Sequence, residues 1–328
     1  MNRLRSRIVG TGSYLPERVM TNRDLELMVD TNDEWIVTRT GIRERRIAAD
    51  HEATSDLAYT ASRRALDAAG LRAQDIDLIV VATLTPDAPL PATALYLQHR
   101  LGAKKAAAFD VMAACTGFVY GLSVVDGLIR SGVAKNCLLV GAEVLSRVMN
   151  WKDRGTCIIF GDGAGAAVLV PTHGRCGVLS THLYADGGQS ELLCIPGGGS
   201  RLPLSHAVVD QGLHLVHMKG NETFKLAVKG MSEAAVAALE ANDVTANDLA
   251  LLVPHQANIR IIEATAQRLH LPMSKVFVNI HRYGNTSGAT IPIALDEAVR
   301  EGRIVPGDLV LLDAFGAGFT WGSALIRW

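Results

Sequence analysis

Residues 113–140 read AACTGFVYGLSVVDGLIRSGVAKNCLLV. Phe118, Leu122, Val125 and Ile129 recur at three- and four-residue spacing, so a helix with one apolar stripe follows Cys115. Gly132 is the expected stop, because glycine takes the left-handed conformation that ends a helix. The apolar run 137–140 then reads as a strand. The same order returns in residues 283–312, YGNTSGATIPIALDEAVREGRIVPGDLVLL. Placing Gly132 on Gly302 aligns Asp126 with Asp296 and Cys115 with Asn285.

The flanking segments repeat the alternation. Residues 76–82 (IDLIVVA) form a near-continuous β-rich run, as a strand buried on both faces does. An amphipathic helix over 55–69, closed by Gly70, precedes it. In the second half, a helix over 232–239 leads through Asn242 and Asp243 to a strand at 249–253. A helix over 291–300 ends at Gly302 and leads to a strand at 309–312. Self-similarity at this length predicts a duplicated βαβ-type unit rather than a short-repeat solenoid. The class is α/β, with halves at about 1–170 and 171–328. The implied pseudo-twofold brings the helix N-termini that bear Cys115 and Asn285 to related positions near the centre.

Composition narrows the function classes. The chain has 328 residues, 48% of them hydrophobic and 20% charged, which supplies ample core. Lys and Arg number 32 against 33 Asp and Glu, so no nucleic-acid surface is implied and any basic docking patch is local. No apolar stretch approaches the roughly 18 residues of a membrane helix. The basic opening residues run straight into Gly10, Thr11 and Gly12, unlike a signal peptide. Cys115, Cys137, Cys157, Cys176 and Cys194 are odd in number and scattered, so a reduced, cytoplasmic protein is expected.

Three positions carry chemistry. Cys115 has small residues before it and a helix after it. The free N–H groups and dipole at a helix N-terminus lower a thiol pKa and favour thiolate, and a small packing residue is the plain alternative. His255 stands in 253–258 (VPHQAN), at the C-terminal end of a buried strand, where α/β proteins place ligands. A hydrogen-bonded structural histidine fits equally. Asn285 suits an ordinary N-cap, or an amide that donates to a developing oxyanion. The segment 161–166 (GDGAGA) lacks dinucleotide-loop spacing and enters a strand-like run, so it reads as a tight turn. The small residues of 314–322 (AFGAGFTWG) let a backbone N–H approach a substrate carbonyl. His214 and His217 are spaced to opposite faces of a strand, and no metal site is expected.

Together with 10–16 (GTGSYLP), 33–43 (DEWIVTRTGIR) and 155–166, these segments resemble the β-ketoacyl-acyl-carrier-protein synthase III family over nearly the whole chain. The resemblance implies a five-layered αβαβα thiolase-like fold built from two duplicated halves, and a homodimer. It implies a catalytic triad of Cys115, His255 and Asn285. Acyl-CoA acylates Cys115, malonyl-acyl-carrier protein loses CO₂, and His255 Nε2–H with the Asn285 amide holds the enolate. The Cys115 and Ala317 backbone N–H groups form the oxyanion hole; many relatives have glycine at the latter position. Trp35 and Arg154 sandwich the CoA adenine, Arg39 lies near its phosphates, and Asn221 and Asn258 line the pantetheine arm. Lys225, Gln256, Ala257, Asn258, Ile259 and Arg260, with Arg268, meet the carrier protein. The loop 86–91 places Leu90 in the partner's acyl pocket, where some acetyl-selective relatives carry Phe, which implies a roomier pocket. Acyl-CoA is a substrate and no cofactor is expected.

Other readings compete. A degradative thiolase brings a second cysteine near the C-terminal glycine motif, and none lies beyond Cys194. A secondary-metabolism synthase shares the triad but takes another starter or acceptor. A nicotinamide oxidoreductase rests on 161–166 alone, and a non-catalytic carrier-protein module leaves Cys115 unacylated.

Overall fold

The computed structural model describes residues 4–328; residues 1–3 lie outside it. One mixed sheet contains β1 (Leu4–Tyr14), β2 (Leu78–Ala82), β3 (Ala107–Val111), β4 (Cys137–Glu143) and β5 (Gly163–His173), in the order β1-β5-β4-β2-β3. A second contains β6 (Gly177–Ala185), β7 (Leu251–Pro254), β8 (Leu309–Gly316) and β9 (Thr320–Arg327), in the order β7-β8-β9-β6. The expected parallel pairs form as β2 with β3 and β4, and β7 with β8. Antiparallel strands complete each sheet.

Helices α1 (Thr54–Ala69), α2 (Gly117–Arg130), α3 (Gly220–Glu240), α4 (Ile259–Arg268) and α5 (Thr290–Arg300) make the other layers. In β2, Leu78 and Val80 face one core while Ile79 and Val81 face another, as a strand covered on both sides requires. Leu57, Ala61 and Ala65 of α1 pack on the outer face of the first sheet. Ala235 and Ala238 of α3 and Ile262 of α4 cover the outer face of the second. Between the sheets, Leu122 and Val125 of α2 share one core with Ile291 and Leu295 of α5. The layering is therefore α-β-α-β-α. Gly132 (φ +77°) and Gly302 (φ +69°) close the turns after the two central helices.

The duplication shows in polar anchors as well. Asp126 on α2 accepts hydrogen bonds from the Ser6 backbone and hydroxyl, at 3.1 and 2.8 Å. Its counterpart Asp296 on α5 accepts from Thr11 and Ser13, at 2.8 and 2.7 Å. Both carboxylates pin β1 to the central layer. Two boundaries differ from expectation. The division at 170/171 falls inside β5, which continues to His173, so the halves meet at 174–176. Helix α3 begins at Gly220 rather than 232, because Phe224, Ala227 and Val228 have their own apolar cluster to cover.

Glycines set how closely α5 approaches β5. A methyl group on Gly165 lies 2.6 Å from the backbone at Pro292 and Ile293, whereas one on Gly127 of α2 meets nothing within 4 Å. Gly165→Ala is expected to lose about 1–3 kcal/mol by overpacking, while Gly127→Ala gains up to about 1 kcal/mol from helix propensity. Urea unfolding of both variants checks this, and equal stabilities refute the packing argument.

Candidate active site

Cys115 sits in the single turn Ala114–Thr116, directly before α2. Ala114 has φ +46°, so this turn is held by its surroundings against its own backbone preference. The Thr116 hydroxyl bonds the Ala113 carbonyl at 2.6 Å and the Thr320 hydroxyl at 2.7 Å, which ties the turn to β9. Gly316, at the end of β8, faces it so closely that a methyl group there lies 2.8 Å from the Cys115 amide nitrogen. Only glycine permits that approach.

His255 follows β7, and its backbone N–H donates to the Asp313 carbonyl at 2.7 Å. The ring is buried, with Nδ1 2.6 Å from the Thr290 hydroxyl. Burial lowers its pKa to about 3, so the imidazole is neutral. The Thr290 oxygen also lies 3.0 Å from the Ser287 carbonyl. A hydroxyl has one hydrogen, so its direction selects the tautomer. Turned to Ser287, it leaves Nδ1–H and a lone pair on Nε2. Turned to Nδ1, it leaves Nε2–H, a donor.

Asn285 is locked by its backbone, which donates to the Ile159 carbonyl at 2.9 Å and accepts from the Gly161 amide at 3.1 Å. Its side-chain Oδ1 accepts from the Ser287 N–H at 2.7 Å, leaving the amide hydrogens to face the Cys115 thiol. The segment 161–166 is not the tight turn expected, because Gly163–Ala166 are already part of β5; only the close backbone approach holds, a methyl group on Gly161 lying 2.5 Å from the Tyr283 carbonyl. Cys115, His255 and Asn285 line one cavity of about 570 Å³.

Electrostatics overturn one expectation. Burial pushes the Cys115 thiol up to about 12. Hydrogen bonding from Ser287, its own backbone and Asn285 opposes this, and the charge of Glu143 adds to it. Loss of hydration therefore outweighs the helix N-terminus in the resting protein.

Two family models match the chain. One, described as 3-oxoacyl-[acyl-carrier-protein (ACP)] synthase III, covers residues 109–187, and its C-terminal counterpart covers 239–328. The chain is 57% identical over 326 residues to β-ketoacyl-[acyl-carrier-protein] synthase III of Xanthomonas campestris pv. campestris, with 99% of each chain covered. It is 54% identical over 321 residues to the protein of that name from Caldanaerobacter subterraneus subsp. tengcongensis, covering 98% of this chain and 97% of the other. The crystal structure of 3-oxoacyl-[acyl-carrier-protein] synthase III from Aquifex aeolicus matches with a TM-score of 0.92 at 48% identity, covering 98% and 100%. The chain belongs to the β-ketoacyl-acyl-carrier-protein synthase III family. It is a condensing acyltransferase with the thiolase fold.

The cavity mouth holds several of the residues that the family resemblance singles out. Trp35, Arg39, Asn221, Lys225, Asn258 and Arg260 line it in this synthase. The Arg39 guanidinium stands 4.6 Å and that of Arg154 5.1 Å from the Trp35 ring centre. An intercalated purine needs roughly twice the 3.5 Å of one stacking contact, so the expected sandwich is closed and opens only if Arg154 moves. Arg154 is meanwhile tethered to the Asp30 carbonyl at 2.6 Å. Asn258 caps α4 through Oδ1 and donates to the Arg39 carbonyl at 2.9 Å, so part of its hydrogen-bonding capacity is structural.

Gln256 is corrected. It is buried, donates to the Pro254 and Phe277 carbonyls and accepts from the Asn279 and Ile280 amides, so it presents nothing to a carrier protein. Ala257 and Ile259 are half-buried, Arg260, Lys225 and Arg268 are exposed, and Ile259 packs on Gly41. Ala317 is half-buried beside Gly316, just outside the cavity wall. Leu90 is 85% exposed and lies outside this chain's own cavity. Sequence reasoning missed Thr290, Ser287 and Glu143; a carboxylate ending the apolar run 137–143 was the available signal for the last.

Thr290→Val removes the group that selects the His255 tautomer while keeping its shape. Condensation is expected to fall roughly tenfold or more, the cost of an unpaired buried polar group. The ¹⁵N shifts of the His255 ring should move at the same time, and unchanged shifts argue against tautomer control.

Proposed function

We propose that this chain draws an acyl group from acyl-CoA onto Cys115 and condenses it with malonyl-acyl-carrier protein, the first carbon–carbon bond of fatty acid biosynthesis. The observation that carries the roles is the one cavity that Cys115, His255 and Asn285 line together. Cys115 is the nucleophile. Its acylation leaves a neutral thioester, which removes the cost of a buried thiolate. Backbone N–H groups of Cys115 and Ala317 hold the oxyanion of each tetrahedral intermediate.

Loss of CO₂ from the malonyl group creates the carbanion without a strong base. The enolate oxygen then needs donors, which His255 Nε2–H and the Asn285 amide supply. A histidine kept neutral by burial suits a donor whose proton is not meant to leave. Free choice of tautomer through Thr290 supports this role. No cofactor is required.

The mouth accepts CoA. Trp35 and Arg154 grip the adenine once the guanidinium swings off the ring, Arg39 meets phosphate, and Asn221 and Asn258 follow the pantetheine arm. Lys225 and Arg260, with Ala257, Ile259 and Arg268 around them, form the local basic face for an acidic carrier protein. A homodimer completes the acyl pocket. Strand β3 is an unpaired sheet edge, Met112 just beyond it is 80% exposed, and Leu90 is 85% exposed. A reduced cytoplasmic setting fits five free cysteines and the absence, among the described residues, of any helix long and apolar enough to cross a membrane.

Incubation with acetyl-CoA is expected to add one acetyl mass to Cys115, read by intact and peptide mass spectrometry. Cys115→Ser should lose that mass and all condensation, because a buried alcohol is a poor nucleophile; an acetyl mass retained at another residue sinks the assignment. His255→Ala should keep acyl transfer while losing decarboxylation of malonyl-carrier protein. Equal losses in both half-reactions refute the division of roles.

A further inference from the structure

An arginine is buried in the core beside the segment that carries Asn285. Arg45 is fully buried and stands in the strand Glu44–Ile47, which pairs with Arg18–Thr21 in a two-stranded sheet. None of the ion pairs among the described residues includes it. Its guanidinium is held by three neutral oxygens instead. Nη1 donates to Asn22 Oδ1 at 2.8 Å and to the Met20 carbonyl at 3.3 Å, and Nη2 donates to the Ile158 carbonyl at 2.7 Å. Burial lowers its pKa to about 10, which leaves it charged at neutral pH. An apolar side chain of similar volume fills a core without this loss of hydration, so packing alone does not call for a cation here.

The guanidinium reaches two different parts of the site. Ile158 follows the short helix Arg154–Cys157 and opens the segment that clamps Asn285. The Ile159 carbonyl accepts from the Asn285 N–H at 2.9 Å, and the Gly161 N–H donates to the Asn285 carbonyl at 3.1 Å. The stem of Arg45 packs on the same clamp: a methyl group on Gly161 lies 3.0 Å, and one on Gly284 3.6 Å, from Arg45 Cβ. The flanking backbone binds both sides of it, since the Arg46 carbonyl accepts from the Asp162 N–H at 2.9 Å and the Arg43 N–H donates to the His281 carbonyl at 3.0 Å. At the other end, Asn22 Nδ2 donates to Asp33 Oδ1 and to the Ile42 carbonyl, each at 2.8 Å. With Oδ1 bound to Arg45, the Asn22 amide has no freedom to turn. Asp33 opens the helix Asp33–Thr40, which carries Trp35 and Arg39. Three hydrogen bonds in series thus run from the mouth helix through Asn22 and Arg45 to the segment that holds Asn285.

We propose that Arg45 is a positioning residue for the condensation: it fixes the segment 158–161 from which Asn285 hangs, and sets that segment at a fixed place relative to the helix of Trp35 and Arg39. A thioester arm that enters past those side chains then meets the Asn285 amide in register. The inference rests on Asn285 holding the enolate oxygen. A guanidinium suits the task because its planar fork offers donors to acceptors on separate elements, whereas an ammonium is a single point. Arg45 is not among the residues that line the cavity, so it acts through Asn285 and touches no substrate.

The test is the rate of malonyl-carrier-protein decarboxylation per acetylatable Cys115, the sites being counted by intact mass after the same preparation is incubated with acetyl-CoA. Arg45→Met keeps an unbranched apolar stem and removes the donors. It should lower kcat per site roughly tenfold, because a misplaced catalytic group loses much of its effect. KM for malonyl-carrier protein should stay nearly unchanged, since Lys225 and Arg260 are untouched. Arg45→Lys keeps the charge but not the fork, and its rate per site should lie between the two. In an Asn285→Ala background, Arg45→Met should add no further loss, as effects exerted through one group do not add. An arginine with only a structural role lowers the number of acetylatable sites and leaves the rate per site at the wild-type value. That result, or the same fold-loss with and without Asn285, overturns the positioning role. If Arg45→Met fails to fold, Arg45→Lys carries the same cycle, and a wild-type rate per site there overturns it equally. Should Asn285→Ala alone decarboxylate at the wild-type rate, the enolate role of Asn285 falls; a slow Asn285→Ala beside an unimpaired Arg45→Met sinks the role of Arg45 alone.

Discussion

Two helices lie back to back between two sheets, and their N-termini meet. Leu122, Val125 and Ile129 of α2 share one core with Ile291, Leu295 and Ala298 of α5. Packing the starts of both helices between the sheets removes their polar ends from water as well as their apolar flanks. The turns that start them, Ala114–Thr116 and Ser287–Ala289, are therefore dry and pressed together. Their left-handed residues, Ala114 and Ser287, persist only because packing outweighs local backbone preference. Cys115 on one turn and Asn285 near the other become neighbours by symmetry of the fold rather than by proximity in the chain.

Dryness also decides the charge states. In water a helix N-terminus favours an anion by a few tenths of a kcal/mol to about 1 kcal/mol. Removing a thiolate from water costs more than that, so Cys115 rests as a thiol and His255 as a neutral ring. The same loss of hydration strengthens every remaining dipole. In the proposed reaction the Asn285 amide and the ring of His255 serve a developing oxyanion from within that site. A carboxyl such as Glu143 survives there because hydrogen bonds from 83–85 replace its water shell.

The site is layered from rigid to adaptable. The inner end is made of strand termini and helix starts, held by backbone hydrogen bonds such as His255 N–H to Asp313 and Asn285 N–H to Ile159. The mouth is made of long side chains. Arg39 and Arg154 lie over Trp35 with their charges near solvent, where changing partner costs little. Chemistry needs the first property and exchange of a large thioester substrate needs the second.

Much of this was legible in the chain before it folded. The periodicity of α2 and α5, their closing glycines and the alignment of Cys115 with Asn285 are local patterns, and local patterns determine elements and their order. That 161–166 is no dinucleotide loop was readable for the same reason, from its spacing, but the tight turn read there is mostly the start of β5. Other features depend on segments far apart in sequence. Whether Gln256 turns outward is decided by the amides of Asn279 and Ile280 that it meets. The thiol's proton affinity is decided by burial, which no local dipole argument contains. Thr290, Ser287 and Glu143 are ordinary residues until the halves close around Cys115. By itself the sequence determined the fold and the family and singled out Cys115, His255 and Asn285 as candidates, because these rest on pattern. Only tertiary structure decided their charge, their tautomer and their neighbours, because those rest on which groups lose water together.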